Sequence, residues 1–350
     1  MTSAATTPSS DPTLTASSLA SSPKRVFVIG ATGTIGQATV RALLQRGNEV
    51  VCFVRPRAGV KGKLTTEASQ QLFEGATVRF GAVTDPVSLA SDGFCGERFD
   101  VLVSCLASRT GSPRDAWAID HQAHVQALAA ARVAGVTQVV LLSAICVQKP
   151  LLAFQRAKLA FEKELIESGL TYSIVRPTAF FKSLSGQIDR VRRGKPFLLF
   201  GDGRLTACKP ISDRDLGDYL ANCLVRTDRH NRVLPIGGPG PAITPREQGN
   251  KLFALLGRPP KFSHVPVALL DVIIAVLGTL GRLIPTLGDK AELARIGRYY
   301  ATESMLVLNP QTGQYDADAT PSTGIETLFD FYADLTSGKV APERGDHAVL

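Results

Sequence analysis

Lys24-Arg25-Val26-Phe27-Val28-Ile29-Gly30-Ala31-Thr32-Gly33-Thr34-Ile35-Gly36 is the stretch that decides the fold. Four apolar residues in a row, Val26 to Ile29, fit a strand covered on both faces. The strand predicted over Lys24 to Gly30 runs straight into glycines spaced three apart. Helical spacing takes over from Thr34 to Arg46, with Ile35, Val40, Leu43 and Leu44 on the inner side, and Gly47 caps its end. Each glycine has a separate task in such a turn. Gly30 permits the tight bend, Gly33 lets the backbone approach a pyrophosphate, and Gly36 lets the helix pack close to the sheet. The helix N-terminus then offers N–H groups and a positive dipole to an anion. Three glycines alone are weak evidence, but between a strand and a helix they mark a dinucleotide site. Gly30, Thr32, Gly33, Thr34, Ile35 and Gly36 are therefore the candidate phosphate-binding residues.

The same alternation continues downstream. Strands are predicted over Val50–Val54, Thr77–Phe80, Val101–Leu106, Gln138–Ser143 and Tyr172–Val175. Helices are predicted over Asp120–Ala134, capped by Gly135, and Ala153–Ser168, capped by Gly169. Strand–helix repetition implies right-handed crossovers and a parallel sheet, so the fold class is α/β, a Rossmann-type doubly wound sheet with a smaller C-terminal substrate region. After Pro177 the rhythm changes. Phe197 to Pro210 contains Gly201-Asp202-Gly203, read as a hairpin turn. A helix follows over Asp213–Val225, then a strand over Arg232–Ile236. Thr244-Pro245-Arg246-Glu247 opens another helix with a capping pattern. The expected organisation is a loose leader over 1–23, an NADP-binding domain over 24–178, a substrate region over 179–335 with some elements returning to the first core, and a loose tail over 336–350.

The end of the second strand bears on the cofactor. An NAD enzyme places Asp or Glu there for the ribose 2′-hydroxyl. This chain has Val54-Arg55-Pro56-Arg57, and Arg55 can pair with a 2′-phosphate and stack on adenine. That points to NADPH, the alternative being a solvated loop arginine. Asp85, just after the third strand, either accepts from the adenine amino group or caps the next helix.

Phe154-Gln155-Arg156-Ala157-Lys158 lies where short-chain dehydrogenases carry Tyr-x-x-x-Lys. There the Tyr gives a proton to a carbonyl, and the Lys lowers its pKa while holding the nicotinamide ribose. Lys158 is retained, so a ribose-binding and catalytic role is kept open for it beside that of a surface helix charge. Phe154 replaces the Tyr and cannot give a proton. Ordinary ketone chemistry is thereby disfavoured. Either the hydride goes to a carbon–carbon double bond, or the protein binds NADP without catalysis.

Together with Ser173-Ile174-Val175-Arg176-Pro177-Thr178-Ala179-Phe180-Phe181-Lys182-Ser183 and Pro235-Ile236-Gly237-Gly238-Pro239-Gly240, these motifs make the chain similar to the atypical, NmrA-like short-chain dehydrogenase/reductases. More narrowly it resembles the divinyl chlorophyllide a 8-vinyl reductases, from about Lys24 to Tyr332. The resemblance implies NADPH-dependent reduction of the C8 vinyl group of 3,8-divinyl chlorophyllide a or divinyl protochlorophyllide a to ethyl, in chlorophyll biosynthesis. No carbonyl is reduced there, which agrees with Phe154. Ser143 and Lys158 are candidates by position for supplying the proton. Phe154, Phe180 and Phe181 are candidates for packing on the macrocycle, with core packing as the bland reading. Lys182 or Arg176 could face a substrate carboxylate, and Pro177 is placed with the cofactor-binding residues. The implied location is the cytoplasm of a phototrophic bacterium, with membrane association open, or a plastid if the source is eukaryotic. Two other readings stay open: a reductase of small conjugated molecules, like the isoflavone-reductase-like proteins, and a non-catalytic NmrA-like sensor or assembly protein.

Bulk properties agree with an enzyme of this kind. The chain has 350 residues, 44% hydrophobic and 20% charged, enough for a large core. Its formal net charge of +8 is scattered, with no basic run laced with aromatics, so nucleic acid is not an expected partner. Six cysteines without Cys-x-x-Cys spacing read as reduced thiols, with no metal expected. The leader is rich in Ser, Thr, Ala and Pro and reads as disordered, without the features of a signal or transit peptide. Val267 to Ile284 is apolar but broken by Asp271, two glycines and Arg282, too short and charged to span a bilayer. It reads as a buried helix, as a greasy wall of a porphyrin pocket, which is preferred, or as a contact with a photosynthetic membrane surface. The oligomeric state is not legible.

Overall fold

The computed structural model describes residues 22–58, 62 and 64–339; the leader up to residue 21 and the tail from 340 lie outside the described residues. Seven parallel strands form the main sheet: β1 (Arg25–Ile29), β2 (Glu49–Val54), β3 (Thr77–Phe80), β4 (Val101–Ser104), β5 (Gln138–Leu142), β6 (Thr171–Pro177) and, after a short β7 (Phe197–Phe200), β8 (Arg232–Ile236). Their spatial order is β3-β2-β1-β4-β5-β6-β8. The order reverses between β1 and β4, where Ile29 lies opposite Ser104 in register. Ligands of open α/β sheets sit beyond the carboxyl ends of the strands at such a reversal.

The apolar run of β1 explains its double coverage. Val26 and Val28 enter the core on one face of the sheet, and Phe27 and Ile29 enter the core on the other. Helix α1 (Thr34–Gln45) covers the first face and packs on α4 (Asp213–Asn222). A Cβ at Gly217 would lie 2.7 Å from the Ala38 carbonyl carbon, so that helix crossing requires glycine. Helices α2 (His124–Val133) and α3 (Ala153–Glu167) serve the opposite side of the sheet, contributing Ala127, Leu128, Phe161 and Leu165. Thus α4 and β8, although late in the sequence, complete the nucleotide-binding core.

A third core, containing Ile145, Phe197, Leu252, Phe253, Tyr299 and Tyr332, joins the remaining elements. These are α5 (Pro245–Leu255), β9 (Phe262–Val265), α6 (Val267–Leu280), α7 (Pro285–Thr302) and α8 (Leu328–Ser337). The capping pattern of α5 is realised: Thr244 and Glu247 exchange side-chain-to-backbone hydrogen bonds, with Pro245 at the first position.

Three expectations are corrected here. Gly201-Asp202-Gly203 is a turn but not a hairpin, because β7 pairs in parallel with β9, far along the chain, rather than folding back on residues 204–210. The helix expected from Asp120 begins instead with a short helix over Pro113–Ala116 and a wide π-helical segment over Trp117–Ala123 before α2. Helix α6 has no buried residue, so it is not a core helix. It packs on α7 and ties to it through the Asp271–Arg298 ion pair, leaving an apolar face outward.

Candidate functional site

The glycine turn is built as the spacing requires. Gly30 has φ +75°, and a Cβ there would lie 2.4 Å from the Cys105 carbonyl carbon and Leu106 nitrogen at the end of β4. A Cβ on Gly36 would lie 2.2 Å from the Gly30 carbonyl oxygen. Both glycines are therefore enforced by backbone packing. Gly33 differs: its Cβ would meet nothing nearer than the Gly30 oxygen at 3.6 Å. It is the N-cap of α1, supplies no side-chain cap, and no acidic residue occupies the first turn. No acidic side chain of the first turn thus competes for its free N–H groups and dipole. The Gln37 amide donates to the Thr32 carbonyl at 3.0 Å and braces the turn. These residues fit a dinucleotide pyrophosphate.

Arg55 stands exposed immediately past β2, one strand away from the turn, the place at which Rossmann folds read the ribose 2′ position. The Asp85 carboxylate accepts from the Val87 N–H at 2.9 Å and caps the short turn of Pro86–Ser88. Lys182 does not point away from the turn: its ammonium reaches Thr34 Oγ1 at 3.5 Å. Pro177 is buried at the end of β6.

A second cluster lies at the carboxyl ends of β4 and β5. Lys158, on α3, has its Nζ 3.0 Å from Asp120 Oδ1, with the lysine side chain 11% and the aspartate side chain 0% exposed. The Ser108 N–H also donates to Asp120 Oδ1, at 3.2 Å. His124, one turn past Asp120, is held at both ring nitrogens: Nδ1 lies 2.9 Å from the Ile119 carbonyl and Nε2 lies 2.7 Å from Ser104 Oγ. The carbonyl can only accept, so Nδ1 carries the proton and Nε2 accepts from the serine. Burial, aided by the nearby Lys158 cation, pushes the His124 pKa down to about 4, so the ring is neutral. Ser104 Oγ in turn accepts from the Leu106 N–H at 3.3 Å, beside the Gly30 bend. A polar chain thus links the end of β4 to the helix that carries Asp120.

Ser143 faces the same recess as Lys158, but its hydroxyl donates to Glu162. Glu162 is 2% exposed and also holds the Arg176 guanidinium through both of its oxygens. Arg176 is therefore a structural ion-pair partner, and the Ser143 proton is committed to a carboxylate.

The aromatic candidates divide. Phe154 sits one turn before Lys158, half-buried near Gly111, whose Cβ position is 3.6 Å from the Phe154 ring and 2.8 Å from Ile296 on α7. Phe181 is buried in the C-terminal core against Phe331, with centroids 5.5 Å apart. Phe180 packs against the core beneath the sheet. Of the three, Phe154 shares the helix face of Lys158.

Asp120, His124 and Glu162 did not stand out in the sequence. A signal was present for Glu162: Phe154, Lys158 and Glu162 recur every four residues along the inner side of an amphipathic helix, where a carboxylate must have a buried partner. Asp120 and His124 are likewise four apart.

Comparison with known proteins gives this geometry a family context. An NAD(P)H-binding family profile matches residues 30–227. A protein of Cucumis sativus named divinyl chlorophyllide a 8-vinyl-reductase, chloroplastic, is 51% identical over 340 residues, covering 95% of this chain and 81% of the relative. The Arabidopsis thaliana protein of the same name is 49% identical over 335 residues, covering 93% and 80%. Among solved structures, the leucoanthocyanidin reductase–NADPH complex of Vitis vinifera superposes with a TM-score of 0.63 at 16% identity, covering 89% of this chain and 98% of that one. The last match bears on the fold alone.

Proposed function

Because this chain belongs to the divinyl chlorophyllide a 8-vinyl-reductase family, we propose that it reduces the C8 vinyl group of a 3,8-divinyl chlorophyllide to ethyl with NADPH, in chlorophyll biosynthesis. Divinyl chlorophyllide a and divinyl protochlorophyllide a are the substrates that the reading admits. The observation that carries it beyond the family is Phe154, an apolar ring one turn from a retained Lys158. A carbonyl reductase needs an acid at that place, whereas a vinyl group conjugated to a macrocycle has no oxygen to protonate.

When bound, NADPH supplies the hydride. The chain's own residues do the rest by placement. The first turn of α1 and the space over Gly33 hold the pyrophosphate. Arg55 selects the 2′-phosphate, and Lys158 holds the nicotinamide ribose. Phe154 and the neighbouring Ile296 offer an apolar face to a flat ring system. The Soret band tests this reading. Purified protein with NADPH and 3,8-divinyl chlorophyllide a should give a blue shift and a chromatographically distinct monovinyl product. Bound NADPH without product would move the weight to a non-catalytic role.

Peripheral contact with a photosynthetic membrane is part of the reading, in a plastid for a eukaryotic source or on the cytoplasmic side in a bacterium. Its support is the outward stripe Leu269, Val272, Ile273, Val276 and Leu280 along α6, continued by Leu283 at 84% exposure. Among the described residues no helix is long and apolar enough to cross a membrane, so the contact would be interfacial. Because Ile296 on α7 adjoins Phe154, the hairpin lies next to the site. Charging Ile273 and Val276 should abolish co-sedimentation with anionic lipid vesicles; unchanged sedimentation would remove the membrane from the reading.

A further inference from the structure

Helix α3 starts without a cap of the ordinary kind. Its N-cap is Leu152, which has no side-chain oxygen to offer the first turn. Gln155 reaches back, and its Oε1 accepts from the Leu152 N–H at 2.9 Å. The next donor, the Ala153 N–H, is met from the far half of the chain: Glu292 Oε1, on α7, accepts from it at 3.4 Å. Glu292 is buried, and Arg295, one turn on, holds its other oxygen at 3.0 Å. A carboxylate at the positive end of a helix acts in two ways, as acceptor for a first-turn N–H and as an anion against the dipole.

The same stretch of α7 meets the start of α3 at a second point. Ile296, one turn past Glu292, and Phe154, next to Ala153, both approach Gly111. A Cβ there would lie 2.8 Å from Ile296 Cδ1 and 3.6 Å from Phe154 Cδ1. The loop that follows β4 thus passes close to both helices, with Gly111 buried at φ +66°. Helix α7 is itself held by Tyr299, whose hydroxyl donates to the Cys146 carbonyl at 2.9 Å. Further along α3 the anchors are different. Lys158 is tied to Asp120, and Glu162 to Arg176 and Ser143, none of them on α7. Glu292 therefore acts on the first turn, where Phe154 sits, and the later turns have other partners.

We propose that Glu292 is a positioning residue for the pigment side of the site: it seats the first turn of α3 against α7 and so fixes the Phe154 ring near Ile296. The inference rests on the reading of Phe154 as a pigment-facing ring, and not on how Lys158 meets the cofactor. Without Glu292 the first turn frays, because the Ala153 N–H loses its acceptor and the dipole its anion. Phe154 moves with that turn. Lys158, one turn inward and tied to Asp120, stays.

Steady-state vinyl reduction by the purified protein tests this, with 3,8-divinyl chlorophyllide a and NADPH varied in turn. Glu292→Ala should raise KM for the pigment about fivefold, within the range one lost hydrogen bond carries, and change KM for NADPH less than about twofold. Glu292→Gln keeps an oxygen for the Ala153 N–H and should recover most of the loss. An unchanged pigment KM in Glu292→Ala would overturn the proposal. So would a parallel rise in both KM values, the mark of a residue that only keeps the fold, or a Glu292→Gln protein no better than Glu292→Ala. If Glu292→Ala does not fold, Glu292→Leu fills the space without an acceptor, leaves the half-exposed Arg295 to solvent and carries the same comparison. Phe154→Ala separates this inference from the reading beneath it. A normal pigment KM there would remove Phe154 from the pigment side, and the proposal with it. A raised one, beside a normal pigment KM in Glu292→Ala, would overturn the positioning role alone. Wild-type protein that gave no monovinyl product would sink the vinyl-reductase reading first, and the proposal with it.

Discussion

Gly33 and Gly36 occupy the same turn, and alanine at each should fail in a different way. At Gly36 the added methyl would lie 2.2 Å from the Gly30 oxygen and 2.8 Å from the Ala31 Cα. Both neighbours are backbone, so the start of α1 must move by about 1 Å to reach ordinary contact, an overpacking cost of about 3 kcal/mol. For a chain of this size that is a fall of roughly 5 °C or more in Tm. At Gly33 the methyl meets nothing nearer than 3.6 Å. The residue is extended, with φ −72° and ψ 161°, which alanine adopts without strain. A weaker N-cap costs about 0.5 kcal/mol, and a stiffer unfolded chain returns a similar amount. Stability should therefore stay within about 1 kcal/mol of wild type.

Affinity should report the opposite ranking. On the proposed reading, a Gly33 methyl stands at the N-cap beside the first-turn N–H groups that would receive the pyrophosphate. Losing one charge-assisted hydrogen bond there removes about 2 kcal/mol, roughly thirtyfold in Kd. Thermal unfolding with and without saturating NADPH is a sufficient assay, because a ligand raises Tm only of a protein that binds it. Gly33→Ala should unfold at the wild-type temperature without ligand and gain little from NADPH. A destabilised apo Gly33→Ala protein, or one with the full NADPH shift, would refute the division of labour between the glycines.

Arg55→Asp should weaken NADPH about tenfold or more and narrow its advantage over NADH, since an exposed arginine–phosphate pair lies at the low end of such contacts; competition between the two nucleotides reads the ratio. His124 gives a pH signature. Its folded pKa of about 4 lies below the usual value of 6.5, so the unfolded chain binds the extra proton first. Its contribution is complete above about pH 6.5 and is lost as the pH falls toward 4, by about 1.4 kcal/mol per unit at most. The slope of Tm between pH 6.5 and 4 should therefore flatten in His124→Gln; an unchanged slope would place the acid sensitivity elsewhere. Glu162→Gln should destabilise by about 3 kcal/mol, because it strands the Arg176 cation in a nearly buried site, as urea unfolding would register. Phe154→Tyr should keep vinyl reduction within about threefold of wild type, since a phenol has no oxyanion to serve in this reaction; a tenfold acceleration would mean that a missing proton donor limits the rate.

The sequence made the first half of the molecule readable because local and global signals coincide there. Val26 to Ile29 is continuous and apolar because alternate residues enter separate cores on the two faces of β1, and the three glycines sit where backbone meets backbone. The second half was less readable because its contacts are long-range. Phe197–Phe200 finds Phe262–Val265 in parallel, a pairing that no local turn encodes. Asp213–Asn222 reads as an amphipathic helix, but that it packs on α1 depends on Gly217 meeting Ala38. Helix α6 has the composition of a core helix, and hydropathy alone does not say on which side the rest of the chain will lie. In the site, Lys158 was legible from a motif, whereas Asp120 and His124 were hidden by the unusual helix geometry before α2. An α-helical reading gave that turn no special meaning, whereas in the structure the Ile119 carbonyl meets the His124 ring.

These polar groups share one property that bears on the chemistry. Asp120 with Lys158, Glu162 with Arg176 and Ser143, and neutral His124 with Ser104 each pair within the protein. One turn before Lys158 on α3 stands Phe154, and Ile296 on α7 approaches the same Gly111. An enzyme that must stabilise an oxyanion directs preorganised donors at the reacting atom. This arrangement instead commits its donors to partners within the protein and sets an apolar ring, Phe154, one turn from Lys158. Such a division suits an acceptor whose added charge spreads over a conjugated ring, where the rate depends on holding two flat systems in register with water excluded. It follows that substitutions at the apolar wall should act on pigment affinity and those at the Asp120–Lys158 pair on nucleotide affinity.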